Sequence, residues 1–490
     1  MHPRSPAPGL EERAERAIAD PDLQVALGNI TATLGRGLRE IRTDPALQEA
    51  RRQAARIRRQ VLDDFDGWLD KAQAQLESLG VTVHRAESPE DACRTVVDIA
   101  RAEGVRLAVK SKSMATEEVH LNGALEAAGV KVVETDLGEY IIQLAREMPS
   151  HIIAPAIHKT VDQVARLFSD VAGAELPADR TTLCNFARAR LREVFLAADM
   201  GITGANFLAA DTGTVVLVTN EGNGRMCTSL PRVHVAVVPV EKVVPRLADL
   251  GVVLPLLTRS ATGQPLSTYV SMVTGPRRPG EIDGPERMHV VLLDHNRRAL
   301  VGTPYEEMLA CVRCGACLNV CPVYRRIGGH AYGGVYSGPM GAILTPLLSA
   351  GEEGRDLPWA SSLCGACTEA CPVKIPLADL LVRLRADLRR PGPPVPPAPP
   401  WDKSRPAPPV PRSVPPSVRR AGFGLWARLW ASTPGYRITT AGARHLARLV
   451  PPPLYGRLPG VSGWAQGRDV PLPAPRSFRQ RLAAREEEGW

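Results

Sequence analysis

Seven of the ten cysteines lie between Cys311 and Cys371, and their spacing limits that stretch more tightly than any other feature of the 490 residues. The first run is Cys311-Val-Arg-Cys314-Gly-Ala-Cys317-Leu-Asn-Val-Cys321-Pro322, the C-x2-C-x2-C-x3-C-P pattern of bacterial ferredoxins. A cuboidal iron–sulfur cluster needs several thiolates converging on it. Two-residue gaps let a tight loop wrap the cluster with its N–H groups turned inward; Gly315 eases the turn and Pro322 ends it. Zinc also uses C-x2-C pairs, but four cysteines with a closing proline, repeated downstream, point to clusters.

The repeat is Ser361-Ser-Leu-Cys364-Gly-Ala-Cys367-Thr-Glu-Ala-Cys371-Pro372, the same frame with serine in the first slot. In two-cluster ferredoxins the fourth cysteine of each run crosses to the other cluster. By that rule Cys311, Cys314, Cys317 and Cys371 hold one complete cluster. Cys321, Cys364 and Cys367 hold a second that is one thiolate short. Three outcomes stay open there: ligation by the Ser361 hydroxyl, a [3Fe–4S] cluster, or a [4Fe–4S] cluster whose last iron takes an outside ligand. Cys93, Cys184 and Cys227 read as small hydrophobes or free thiols.

In a reducing compartment such clustering points to metal ligation and not to disulfides. The opening MHPRSPAPGLEERAERA is charged, unlike a secretory signal, and no run of about 20 apolar residues occurs, so a cytoplasmic chain without a transmembrane helix is expected. Sixty Lys+Arg against fifty-two Asp+Glu leave a net charge of +8. The excess is mostly arginine near the C-terminus, with no aromatic-studded basic platform, so nucleic acid is not an expected partner.

The length exceeds the ~250–300 residues at which a single core stops growing. Residues 1–60 read as a helical segment interrupted by Pro21 and Pro45. Over residues 61–298 strands such as VTVHRA, RLAV and VKVVET alternate with helical stretches, the mark of a mostly parallel α/β sheet. The β-branched runs near 205–244 are expected to extend that same sheet. Residues 299–388 form the cysteine domain, 389–420 a proline-rich linker in extended conformation, and 421–490 a helical and irregular tail. There Phe423, Trp426 and Trp430 share one face of an expected docking helix.

In the α/β part, Lys110, Ser111, Lys112 and Ser113 follow a strand, where such sheets place ligand contacts; two lysines and two hydroxyls suit a carboxylate or phosphate, or a solvated turn. Glu134, Thr135, Asp136 and Glu139 follow the next strand. Asn220-Glu221-Gly222-Asn223-Gly224-Arg225 closes a β-run, either as an anion-binding loop with Arg225 as a fork or as an Asn-Gly hairpin turn. His151, His158 and His330 read as structural before catalytic. No catalytic residue is assigned, and no Gly-rich dinucleotide fingerprint follows a strand.

The stretch between the cysteine runs is helical in pattern and resembles the α-helical ferredoxin module of succinate dehydrogenase and glycolate oxidase iron–sulfur subunits. The segments from Val109 (VKSKSMATEEVHLNGALEAAGVKVVETDLGEYIIQLAREMPSHIIAPAIHK), Phe195 (FLAADMGITGANFLAADTGTVVLVTNEGNGR) and Cys311 (CVRCGACLNVCPVYRRIGGHAYGGVYSGPMGAILTPLL) closely resemble the lactate utilisation protein B family over about residues 60–390. Ser361 itself looks like that family. The resemblance implies an α/β LUD domain, similar to ribose-phosphate isomerases and CoA-transferases, followed by an all-α dicluster ferredoxin-like domain. It implies an electron-transfer role in oxidising L-lactate to pyruvate, with a cysteine-rich heterodisulfide-reductase-type protein and a second LUD protein as partners. The alternatives are an isomerase- or transferase-like LUD enzyme, or a scaffold, with structural or sensory clusters.

Overall fold

The computed structural model describes residues 9–28, 41, 43–150, 154–390, 392–395, 401, 427–449, 474, 476–478 and 480–482. Residues 1–413 and 414–490 form two compact units. His151, Phe423, Trp426 and nearly all of the proline-rich stretch lie outside the described residues.

The prolines near the N-terminus open helices more than they break them. Pro45 sits in the first turn of helix Pro45–Asp63, whose N-cap Asp44 accepts a hydrogen bond from the Ala46 N–H (2.8 Å), a position where a missing N–H costs nothing. Helix Phe65–Ser78 follows. The first strand, β1 (Thr82–Ala86), leads through helix Pro89–Ala102 to β2 (Leu107–Lys110) and then β3 (Lys131–Glu134). Helices Leu137–Ala145, Val161–Ala172 and Arg180–Ala197 precede β4 (Met200–Thr203). The remaining strands are β5 (Phe207–Ala209), β6 (Thr214–Thr219), β7 (Val233–Pro239), β8 (Val243–Val244), β9 (Tyr269–Val273) and β10 (Arg287–Leu293).

Six strands form one parallel sheet in the order β1-β10-β7-β4-β2-β3. Helices cover both faces, so β7 is buried at every residue, as a central parallel strand should be. Of the β-branched runs after residue 205, β7 joins this sheet as expected, but β5, β6 and β8 do not. With β9 they build a separate four-stranded sheet, β8-β5-β6-β9, with β5–β6 and β6–β9 antiparallel. β5 and β6 are joined by a short turn that includes Gly213 in the left-handed region, so they pair with each other as an antiparallel hairpin.

One apolar core runs from the four-stranded sheet through helix Pro45–Asp63 into the cysteine domain; two smaller cores fill the faces of the parallel sheet. The cysteine domain is built from short helices, including Ala316–Asn319, Gly338–Leu348, Ala366–Ala370 and Leu377–Asp387. The fold is thus a LUD-type α/β domain followed by a helical ferredoxin-type domain. Among the described residues no helix is long and apolar enough to cross a membrane.

Candidate cluster centre and the pocket beside it

The two cysteine loops share one backbone shape. Arg313 and Leu363, each two residues past the first slot of its run, lie in the left-handed region at φ 58° and 55°, and Gly315 and Gly365 follow at 77° and 81°. Holding a non-glycine residue there costs roughly 1–2 kcal/mol, and alternating left- and right-handed residues turn successive N–H groups into a concavity suited to anionic sulfur. The Tyr324 N–H donates to Cys321 Sγ (3.5 Å) and the Ile375 N–H to Cys371 Sγ (3.3 Å). The Ala316 and Ala366 N–H groups serve Cys314 and Cys364 in the same way.

Electrostatic coupling sorts the thiols into two sets. Cys314, Cys317 and Cys371 each feel Cys311, while Cys367 feels Cys321 and Cys364. Cys317 also feels Cys367, which joins the sets. Cys311, Cys314, Cys317 and Cys371 ring a hollow whose remaining wall includes Val312, Met340 and Ile375. The thiols surround a space instead of meeting at a point: among the described residues no three Cys, His, Asp or Glu side chains converge tightly enough for a single ion. Burial pushes the Cys317 thiol well up, Cys371 to about 12 and Cys367 to about 11. Such groups lose their protons only to a metal. A hollow ringed by four thiols with N–H groups aimed at sulfur fits an iron–sulfur cluster. The Ser361 hydroxyl accepts the Leu363 N–H (3.1 Å), and Cys364 is exposed.

A buried charge network backs the first loop. Arg297 Nη2 pairs with Glu118 (2.6 Å) and its Nε with Glu241 (2.6 Å); Arg313 Nη2 takes the other Glu241 oxygen (2.8 Å). His295 and the Tyr336 hydroxyl complete the shell of Glu118, both at 2.6 Å. Burial alone would raise Glu118, but the Arg297 charge and hydrogen bonds from His295 and Arg297 hold it well below the usual carboxylate range. Arg58 reaches the carbonyls of Glu241, Val243, Leu309 and Ala310. Lys242 is buried, its ammonium making no hydrogen bond, and burial with the nearby Arg313 brings it down to about 7.

The parallel sheet changes direction between β2 and β4, since β2 runs on to β3 on one side while β4 runs on to β7 on the other. At that switch point ligands enter at the carboxyl ends of strands. The Ser111 N–H donates to Ile202 O (2.9 Å) and the Thr135 N–H to Lys110 O (2.9 Å). Gly204 follows β4 so closely under Ser113 that a Cβ there would lie 2.6 Å from the serine Oγ. The result is a pocket of about 350 Å³ lined by Ser111, Lys112, Ser113, Asn223 and Lys242 from the α/β domain and by Arg313, Cys314 and Tyr336 from the cysteine domain.

Lys110 does not face that pocket. It is fully buried, pairs with Glu134 (2.7 Å) and donates to Thr116 Oγ1 (3.0 Å). Lys112 stands 3.9 Å from Glu139. Burial pushes both Glu117 and Glu139 well up from the carboxylate range, and these two carboxyls with Glu134 line a second pocket of about 330 Å³. Thr135 donates to Lys110 O (2.9 Å) and lies 3.6 Å from Cys227, while Asp136 caps helix Leu137–Ala145.

The Asn220–Arg225 segment is not a hairpin turn: helix Asn223–Ser229 starts inside it. Asn220 ties to Ser267 and Thr268, Glu221 accepts the Leu137 N–H, and Arg225 lies over the Tyr269 ring (5.7 Å) instead of forking onto a ligand. His158 meets Glu147 (2.7 Å) and stacks edge-on with His330 (4.5 Å between ring centres), which touches Met148 O; they line a separate surface pocket. Cys93 sits on the Val119 carbonyl, Cys184 is exposed and Cys227 is wholly buried. Trp430 packs against Tyr436 (5.3 Å). Sequence reasoning missed Glu118, Glu241, Lys242, Arg297 and the role of Arg313. The signal for Glu241 and Lys242 was present: they follow the strand VHVAVVP, apolar but for His234, at its carboxyl end.

The LUD domain family matches residues 69–293 and the 4Fe-4S dicluster domain family residues 307–375. An Escherichia coli (strain K12) protein called "Uncharacterized electron transport protein YkgF" is 44% identical over 377 residues, 77% of this chain and 79% of that one. "Lactate utilization protein B" of Shouchella clausii is 42% identical over 90% of this chain and 89% of its own, and that of Bacillus subtilis 41% over 90% and 88%. With domain order, cysteine pattern and near full-length similarity in agreement, the chain belongs to the lactate utilisation protein B family.

Proposed function

We propose that this protein is the electron-relaying iron–sulfur subunit of a system that oxidises L-lactate to pyruvate. The observation that carries the reading is the hollow ringed by Cys311, Cys314, Cys317 and Cys371, with the other three thiols forming a second set that is electrostatically coupled to it through Cys317 and Cys367. When bound, two clusters there supply one-electron storage, and adjacent centres suit the two-electron oxidation of a 2-hydroxy acid taken one electron at a time. Cys311, Cys314, Cys317 and Cys371 would hold the first cluster; Cys321, Cys364 and Cys367, with Ser361 in the fourth slot, the second. The Tyr324 and Ile375 N–H groups stabilise thiolate charge at their cysteines, a lever on reduction potential. Partners would be a cysteine-rich heterodisulfide-reductase-type protein and a second LUD protein, as the family resemblance implies.

The test is iron and sulfide analysis with low-temperature EPR on anaerobically purified protein, followed by addition of L-lactate and both partners. About eight irons per chain indicate two cubanes, and about seven indicate one cubane and a three-iron centre. Clusters that stay oxidised while the partners turn over lactate would sink the relay, and a zinc-only protein would sink the cluster assignment.

A further inference from the structure

We infer that the pocket between the LUD sheet and the first cysteine loop is a binding site for a small carboxylate anion, gripped by Lys242 and Arg313 against the first cluster. The pocket holds about 350 Å³ and Cys314 forms part of its wall. Lys242 is 8% exposed and its ammonium has no hydrogen-bond partner; Arg313 has a side chain 8% exposed, and its Nη1 is buried without a partner. Burying the Arg313 guanidinium with one of its donors unsatisfied is expensive, so the arrangement makes sense when an anion completes it. Three guanidiniums, Arg58, Arg297 and Arg313, and the Lys242 amine share this network with two carboxylates, Glu118 and Glu241. The carbonyl cage of Arg58 and the paired carboxylates of Arg297 occupy those two guanidiniums. Lys242 and the free edge of Arg313 remain to face the pocket.

The rest of the lining selects a class of anion. Asn223 is buried with its Oδ1 unpartnered, and Ser113 adds a hydroxyl, groups that suit an oxygen substituent next to a carboxylate. Leu217, Val218 and Leu257 give an apolar wall for a short carbon chain. Asp136 and Glu221 also line the pocket, which disfavours a polyanion such as a nucleotide. A 2-hydroxy or 2-oxo monocarboxylate meets these demands. The site rests on geometry, while the choice of lactate and pyruvate as ligands rests on the function proposed above.

Anaerobic calorimetry on the cluster-loaded protein, with pyruvate, L-lactate and inorganic phosphate as probes, tests the inference alongside EPR of the reduced first cluster. Pyruvate or L-lactate should bind one per chain and alter the EPR line shape. Lys242→Met and Arg313→Gln should each weaken binding about tenfold to a hundredfold, the scale of one lost charge-assisted hydrogen bond. Lys242→Met removes a buried charge for an apolar chain of similar length, so the fold should survive it; iron content checks that. Equal affinity in wild type and Lys242→Met, or a variant that shifts the cluster potential without touching affinity, overturns the site and leaves the cations as counter-charges to the cluster. Phosphate binding with both carboxylates excluded overturns the ligand class. Intact carboxylate binding with clusters that never reduce would overturn only the relay.

Discussion

The loop at Cys311 and the loop at Ser361 have the same left-handed residues in the same places, yet one is enclosed and the other faces outward. Cys314 and Cys317 are buried, and Arg313 behind them is tied to Glu241 and lies over the Tyr336 ring (5.1 Å). Cys364 is exposed, with Leu363 and Trp359 beside it also exposed. Hydrogen bonds from the Ala366 N–H and from Ser362 draw the Cys364 thiol below its ordinary range, whereas burial raises Cys314. Backbone shape therefore does not decide what such a loop does. The side chains packed behind it do, because solvent access and nearby charge set thiolate stability and potential.

That contrast can be broken most severely at the ligands. Cys314→Ala should abolish the first site, removing about four irons per chain, and lower the thermal midpoint sharply, since the hollow lies inside the shared core. Cys364→Ala should lose only the second site and leave the melting curve of the core nearly unchanged. Equal destabilisation by the two would show that the loops are not so different. Iron analysis and calorimetry give both readouts.

Glu241→Ala should come next. It strands the Arg313 guanidinium in the interior and leaves Arg297 to Glu118 alone, which costs about 3–5 kcal/mol in denaturant unfolding. No comparable carboxylate stands behind the second loop among the described residues. Smaller is the effect of Glu139→Gln on pH dependence. Burial first, then the Glu117 charge, raises Glu139 in the folded protein, so the folded state keeps a proton that the unfolded chain releases above about 4.5. Stability should then fall as pH rises from that range through neutrality. The glutamine variant should flatten the fall, measured by urea unfolding at pH 5 and pH 8. Smallest in stability is Ser361→Cys, which should move unfolding by less than about 1 kcal/mol while adding at most one iron per chain. An unaltered EPR spectrum would mean that this slot does not face the second cluster.

The parallel sheet and the helical spacer between the cysteine runs were legible because each depends on local spacing or periodicity. The separate four-stranded sheet was not. Val215 and Val235 carry the same preference for extended backbone, and nothing in either names its neighbour strand. The Asn223-Gly224 pair looked like a hairpin because its dipeptide favours one, but Asn223 lies buried at the start of a helix under the pocket. The network behind the first loop was invisible for another reason. Glu118 meets Arg297 across 179 residues and Glu241 meets Arg313 across 72, pairings that only the folded chain brings about.

Helix Pro45–Asp63 carries one further lesson. Arg51 grips the carbonyls of Glu369 and Cys371, and one to two turns on Arg58 grips those of Glu241, Val243, Leu309 and Ala310. A single rod is thus pinned to the α/β domain and to both cysteine runs. In mechanical terms it is a splint. A splint of this kind holds the two cysteine loops at a fixed separation from each other and from the α/β domain; were the loops to carry the proposed relay, its hopping distance would be set by the fold and not by the swing of a module.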